Sequence, residues 1–77
     1  MVNPIVTIRE ELGFDRRKFA LALGVSYATL QAHENGLVRV VQPAVKRGLA
    51  ALGVDSDLIE QDYTRWREEQ GRQIREA

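Results

Sequence analysis

Few side chains in this sequence could do chemistry, and most of the usual combinations are missing. His33 is the only histidine, and there is no cysteine. A metal site needs several ligands at suitable spacing, so His33 reads as a half-buried spacer or a polar contact, and no metal is expected. Without cysteine there is no thiol catalysis and no disulfide scaffold, and a reducing compartment is compatible. Asp55/Asp57 and Glu68/Glu69 are close carboxylates. No calcium-loop spacing surrounds them, and capping or solvation explains them better. No Ser–His–Asp set, phosphate loop or glycosidase-like pair can be assembled. The expectation is a protein that is not an enzyme and needs no cofactor.

The remaining resource is charge. The 77 residues carry 11 Lys+Arg against 11 Asp+Glu, a formal net charge of zero. The two signs are not mixed evenly. Met1 to Val54 holds seven basic and four acidic residues, a balance of +3. Asp55 to Ala77 holds four basic and seven acidic residues, a balance of −3. Such asymmetry is a better guide to partners than the sum, and it reads as a basic body with an acidic tail. A chain this short makes one small domain with a modest core. No apolar run approaches the roughly 18 residues that cross a bilayer. The N-terminus lacks the basic start and long apolar run of a signal peptide, so no membrane partner is expected.

The elements that must position these charges read as short helices separated by glycine stops. Asn3 can cap a first helix with Pro4 at its first position, Ile5, Ile8 and Leu12 on one face and Gly13 as the stop. Asp15 caps a second, with Phe14 stapled onto Phe19 and an apolar face of Phe19, Ala20 and Leu23. Gly24 ends it. Ser26 caps a third, with Val25 stapled onto Leu30, running Tyr27 to about Asn35 and stopping at Gly36. The three-residue link from Gly24 to Ser26 makes these two helices cross steeply. Leu37 to Gln42 reads as an extended loop with one or two of its valines in the core, and a short strand is the competing reading. Pro43 opens a fourth helix with Ala44, Val45, Leu49 and Leu52 inward and Gly53 as the stop. Gly48 inside it costs roughly 1 kcal/mol against Ala unless close packing needs it. From Asp55 or Ser56, a stripe of Leu58, Ile59, Asp62, Tyr63, Trp66 and Gln70 predicts an amphipathic fifth helix, fraying near Gly71. The fold class is an all-α bundle of about five short helices. It is expected as a single domain over 1–77, with a four-helix core over 1–54 and the amphipathic helix and acidic tail over 55–77.

Arg16 to Gly36, RRKFALALGVSYATLQAHENG, resembles the helix-turn-helix of the lambda-repressor/Cro-like DNA-binding family. Ala20 stands where the pair needs a small residue, Gly24 where the turn needs a left-handed one, and Phe19, Leu23, Val25 and Leu30 anchor the turn. Glu34-Asn35-Gly36 and the downstream Ala51 to Val54 are also similar to that family, and the resemblance spans roughly residues 5 to 60. His33 departs from it, where a large apolar residue is usual.

The resemblance implies a recognition helix, Tyr27 to Asn35, lying in the major groove of duplex DNA. Its outward positions are then Tyr27, Ala28, Gln31 and Ala32. Gln31 can bind adenine N7 and N6 in a bidentate way, and Ala28 or Ala32 can meet a thymine methyl. Tyr27 offers a hydroxyl and a ring. Phosphate positioning falls to Arg16 and Arg17, with Thr29, Asn35 and Arg39 as further candidates. Arg16 and Arg17 open a helix, where cations face an unfavourable dipole, and a phosphate across that end would account for them. Lys46 and Arg47 sit on the fourth helix, which can face away.

Ile59, Tyr63 and Trp66 either close the core or form a homodimer interface, and the interface is the expectation, since aromatics are enriched there. The function implied is a transcriptional regulator, a phage or bacterial repressor on a palindromic operator, acting in the bacterial cytoplasm or a phage-infected host. The alternative is an antitoxin-like or regulatory protein-interaction module acting through its C-terminal helix.

Overall fold

The structure, a computed structural model, describes residues 2–76. It contains α1 (Pro4–Glu11), α2 (Arg16–Leu23), α3 (Tyr27–Glu34), α4 (Pro43–Ala51) and α5 (Ser56–Glu76), with no strand among the described residues. The all-helical class and the five-helix arrangement follow the sequence pattern.

Four of the five helix starts are set by side-chain acceptors, as the cap residues predict, while α4 opens on Pro43 without one. The side-chain oxygens of Asn3, Asp15, Ser26 and Asp55 accept from the amides of Ile5, Lys18, Thr29 and Leu58. Each bond satisfies a donor that has no partner inside its helix. The ends of α1 to α4 share another device. The amides of Phe14, Val25, Leu37 and Val54 donate to the carbonyls of Arg9, Ala20, Ala32 and Leu49, five residues back. This closing bond needs a left-handed residue just before the donor. At the α2–α3 turn that residue is Gly24, with φ +76°. Phe14 and Phe19 stack with ring centroids 5.7 Å apart, the staple expected at the entry to α2.

The helices enclose one core of Ile5, Phe19, Ala20, Leu23, Leu30, Val41, Val45, Leu49, Ile59 and Tyr63. α2 packs against α3 and α4, while α5 packs against α1 and α4. The loop between α3 and α4 forms no strand but bends over residues 38–40 where an extended path was expected, with Val41 buried and Val38 half-buried against the core. Two expected core positions are outside it. Leu12 is 41% exposed and Leu58 is 50% exposed. Leu12 falls at the end of α1, beyond its packed face, and Leu58 sits one residue off the buried Ile59 on α5. α5 also does not fray at Gly71 but continues to Glu76.

The larger correction concerns the interface residues. Ile59 and Tyr63 are buried by their own chain, and Trp66 is half-buried on the same core. The stripe they form closes the bundle. The Tyr63 hydroxyl donates to the Val38 carbonyl at 2.7 Å, and its ring lies 5.8 Å from that of Trp66. Burial pushes the Tyr63 hydroxyl above its ordinary pKa, with Arg67 nearby pulling partly back.

Gly48 is explained by contact. A Cβ there would stand 2.4 Å from the Leu23 carbonyl oxygen and 2.7 Å from its Cα. The end of α2 therefore lies directly on the α4 backbone.

Two outcomes follow. Gly48→Ala, which helix propensity alone would make stabilising by about 1 kcal/mol, should instead lower the unfolding free energy by about 1–3 kcal/mol in denaturant titration, because backbone must move. Stability should also fall as pH rises past the ordinary tyrosine range. There the unfolded chain releases a proton that folded Tyr63 keeps, so the unfolded state binds fewer protons. Lys46, also raised by its hydrogen bonds to Asp57 and Glu60, acts in the same direction. Tyr63→Phe should flatten this alkaline slope, while lowering neutral-pH stability by about 1–2 kcal/mol through the orphaned Val38 carbonyl.

Candidate nucleic-acid interface

α3 has two chemically distinct faces. Leu30, His33 and Glu34 point inward and are buried. Tyr27, Ala28, Gln31 and Asn35 are exposed, and Thr29 and Ala32 are half-buried. The expected outward set therefore stands on one accessible surface, with Ala32 at its margin. Thr29 is partly engaged, because its hydroxyl oxygen accepts from the Ser26 hydroxyl at 2.9 Å within the cap. Its role as a phosphate ligand would rest on its remaining hydrogen.

The inward end of α3 is held by polar bonds. Asn3 Nδ2 donates to the carbonyls of both His33 and Glu34 at 2.9 Å. His33 is wholly buried, not half-buried, and works as a polar contact. Its Nε2 accepts the Gln42 amide at 3.1 Å, and its Nδ1 lies 2.7 Å from the Thr29 carbonyl. A backbone amide can only donate and a carbonyl can only accept. The ring is therefore the neutral tautomer protonated at Nδ1. A large apolar residue here would leave the Gln42 amide without this partner.

Glu34 is the buried carboxylate of the molecule's basic body. Its Oε1 accepts from Arg16 Nε at 3.2 Å, and its Oε2 lies 3.2 Å from Arg9 Nε. The second contact is charge against charge without hydrogen-bond alignment, since neither Arg9 Nε nor Oε2 has a hydrogen-bond partner. Arg9 instead donates through Nη1 to the Phe14 carbonyl at 3.1 Å. Glu34 raises the Arg16 pKa above the ordinary arginine value, with Tyr27 adding to it. Arg16 carries its charge as every arginine does, and the bond to Glu34 orients it. Half of its side chain still faces solvent.

Arg9, Arg16 and Arg17 meet Asp15 and Tyr27 around one open concavity beside the start of α3. Arg17 is exposed and has no ion-pair partner among the described residues. Arg39 is exposed on the loop after α3. Lys46 is committed elsewhere, at 3.0 Å from Asp57 and 3.3 Å from Glu60. Arg47 is exposed on α4.

Three residues in this arrangement were missed in the sequence: Asn3 as a bridge to α3, Glu34 as a buried anchor and Arg9 as its partner. One signal was present. Glu34 lies in the last turn of its helix, where an acid opposes the dipole, so it needed a partner. Among the described residues, no group of three or more His, Asp or Glu side chains is placed to hold a metal ion. No helix among them is long and apolar enough to cross a membrane. No family model matches this chain, and neither a curated protein nor a solved structure matches it.

The Glu34 anchor has a measurable consequence. Glu34→Gln should cost roughly 2–4 kcal/mol in chemical denaturation, because Arg9 keeps its charge in a mostly buried position. The double variant Arg9→Met with Glu34→Leu should recover much of that loss.

Proposed function

We propose that this protein is a sequence-specific binder of double-stranded DNA, a transcriptional regulator of the Cro-like helix-turn-helix type that represses by occupying an operator. One observation carries the reading. α3 presents Tyr27, Ala28 and Gln31 to solvent at its N-terminal end, beside the arginine cluster at the start of α2, while its opposite face is anchored in the core. A short helix stiffly held on one side and flanked by cations suits insertion into a major groove. The left-handed turn at Gly24 and the buried Ala20 support α2 and α3 as the helix-turn-helix pair.

In this reading Gln31 reads a base, Ala28 and Ala32 offer methyl contact, and Tyr27 contacts a base edge or phosphate. Arg17, Arg16, Asn35 and Arg39 set position on the backbone. Pairing as a two-fold dimer would place half-sites about one helical turn, ~34 Å, apart. With Ile59 and Tyr63 in the core, a dimer would have to use other apolar side chains, such as Leu58 or Ile74, which are exposed. Those two also serve the interaction-module alternative.

Selection from a random duplex pool at fixed salt is the test. The expected result is an enriched, palindromic site. Gln31→Ala should relax preference at one base pair by about 1–3 kcal/mol. Arg17→Gln should weaken all sequences alike and flatten the salt dependence by nearly one unit. An unenriched pool would end the proposal.

A further inference from the structure

α5 looks acidic by composition, but the acid is confined to its start. Asp55, Asp57, Glu60 and Asp62 fall within residues 55–62, with no basic residue among them. From Tyr63 onward there are four arginines against three glutamates. Two of those arginines are engaged with acids of their own helix: Arg65 with Asp62, and Arg72 with Glu69. Arg67 and Arg75 have no ion-pair partner among the described residues, and neither has Arg39.

These three arginines share one surface groove, between the loop that follows α3 and the C-terminal half of α5. Thr64 and Gly71 also line it, and Glu68 is the only carboxylate there. Arg67 is fixed in place, donating from Nε to the Gly36 carbonyl at 3.1 Å. Its outer nitrogens are left for other partners. The Arg75 guanidinium lies over Gly71, with Nη1 3.4 Å from where a Cβ would stand. The groove adjoins the end of α3, because Asn35 and Gly36 line a neighbouring concavity with Arg67 and Gly71.

We propose that Arg39, Arg67 and Arg75 form a second phosphate-binding groove for the same DNA duplex, at the C-terminal end of α3, whereas Arg17 stands with Tyr27 beside its start. This rests on the DNA reading above and extends it to α5. Eight residues make α3 about 12 Å long, and a major groove is about 12 Å wide. Arginines beside the two ends of such a helix, Arg17 at its start and the groove at its close, can face the phosphates of the two strands that border the groove. Guanidinium groups match phosphate oxygens in a bidentate manner, and the Thr64 hydroxyl can add a donor.

The test needs no operator. A mixed-sequence duplex of about two helical turns, at low salt, is titrated into the full chain, following arginine Nε–H signals and the Gln31 side-chain amide by NMR. Binding is also measured across a salt series. Duplex should shift the Arg39, Arg67 and Arg75 signals together with Gln31. Arg39→Gln and Arg75→Gln should each reduce the slope of log K against log salt by about 0.9. Arg65→Gln should change it much less, and thermal stability should hold in all three. If neither Arg39→Gln nor Arg75→Gln changes the slope while Arg17→Gln does, the groove is refuted and the DNA reading survives. If duplex shifts no signal at all, both are refuted. If inorganic phosphate alone moves the groove signals and duplex does not, the groove is a small-anion site and the proposal is wrong.

Discussion

One buried carboxamide joins the beginning of this fold to the end of α3. Asn3 is 5% exposed, and its two polar atoms do opposite jobs. The oxygen caps α1 by accepting the Ile5 amide, and the nitrogen donates to the last two carbonyls of α3. Without it the Ile5 amide and the Glu34 carbonyl would be left unpaired in a site water barely reaches, while the His33 carbonyl also accepts from the Gly36 amide. The amide has only one orientation that works, because reversing it would set an oxygen against two carbonyls. Position and direction of α3 are thereby referred to α1, although the two helices touch only sparingly. His33 extends the anchorage to the loop through Gln42, and the Gly36 carbonyl extends it to α5 through Arg67.

Glu34 and Arg16 solve each other's problem. A glutamate at the end of α3 opposes the local dipole, and an arginine at the start of α2 does the same at the other pole. Each charge is unfavourable in its own helix and favourable in the company of the other. Their contact pins the open end of α2 to the closing end of α3, so the turn at Gly24 is bracketed by covalent chain on one side and an ion pair on the other. It also alters the meaning of Arg16. A cation at that position need not await an external phosphate, since an internal carboxylate already answers it. Arg17, with no such partner, carries the clearer case for an external anion.

What could be read from the sequence was local. Caps, staples and glycine stops act over three to five residues, so Asn3, Asp15, Ser26, Phe14 and Gly24 announced their roles. The family resemblance likewise implied that Tyr27, Ala28 and Gln31 point outward. Phase alone did not say what a stripe packs against. Tyr63 and Ile59 belong to a face that could have met a second chain or this one, and only the placement of α5 against α1 and α4 decides it. Gly48 looked like a defect, because its reason is the Leu23 backbone on another helix. The pairings of Asn3 with Glu34, Arg16 with Glu34 and Arg67 with Gly36 join residues 31, 18 and 31 positions apart. Neither spacing nor propensity reaches that far.

The charge pattern shows the same limit and leads to a different picture of the surface. Dividing the chain at Val54 gave a basic body and an acidic tail, but the fold places the real boundary in the middle of α5. Its acidic start lies against α4, where Asp57 and Glu60 neutralise Lys46 and remove it from the pool of free cations. Its later turns pass the end of α3 and bring Arg67 and Arg75 beside Arg39. Among the cations without an ion-pair partner, Arg17 stands by the start of α3 and Arg39, Arg67 and Arg75 by its end, while Lys18 and Arg47 lie elsewhere on α2 and α4. Within a Debye length of roughly 8–10 Å, it is this local distribution and not the zero total that an approaching polyanion experiences. A neutral protein arranged this way can be attracted to a duplex in one orientation and indifferent to it in others. If α3 enters a groove as proposed, that arrangement is more useful than a uniform positive field.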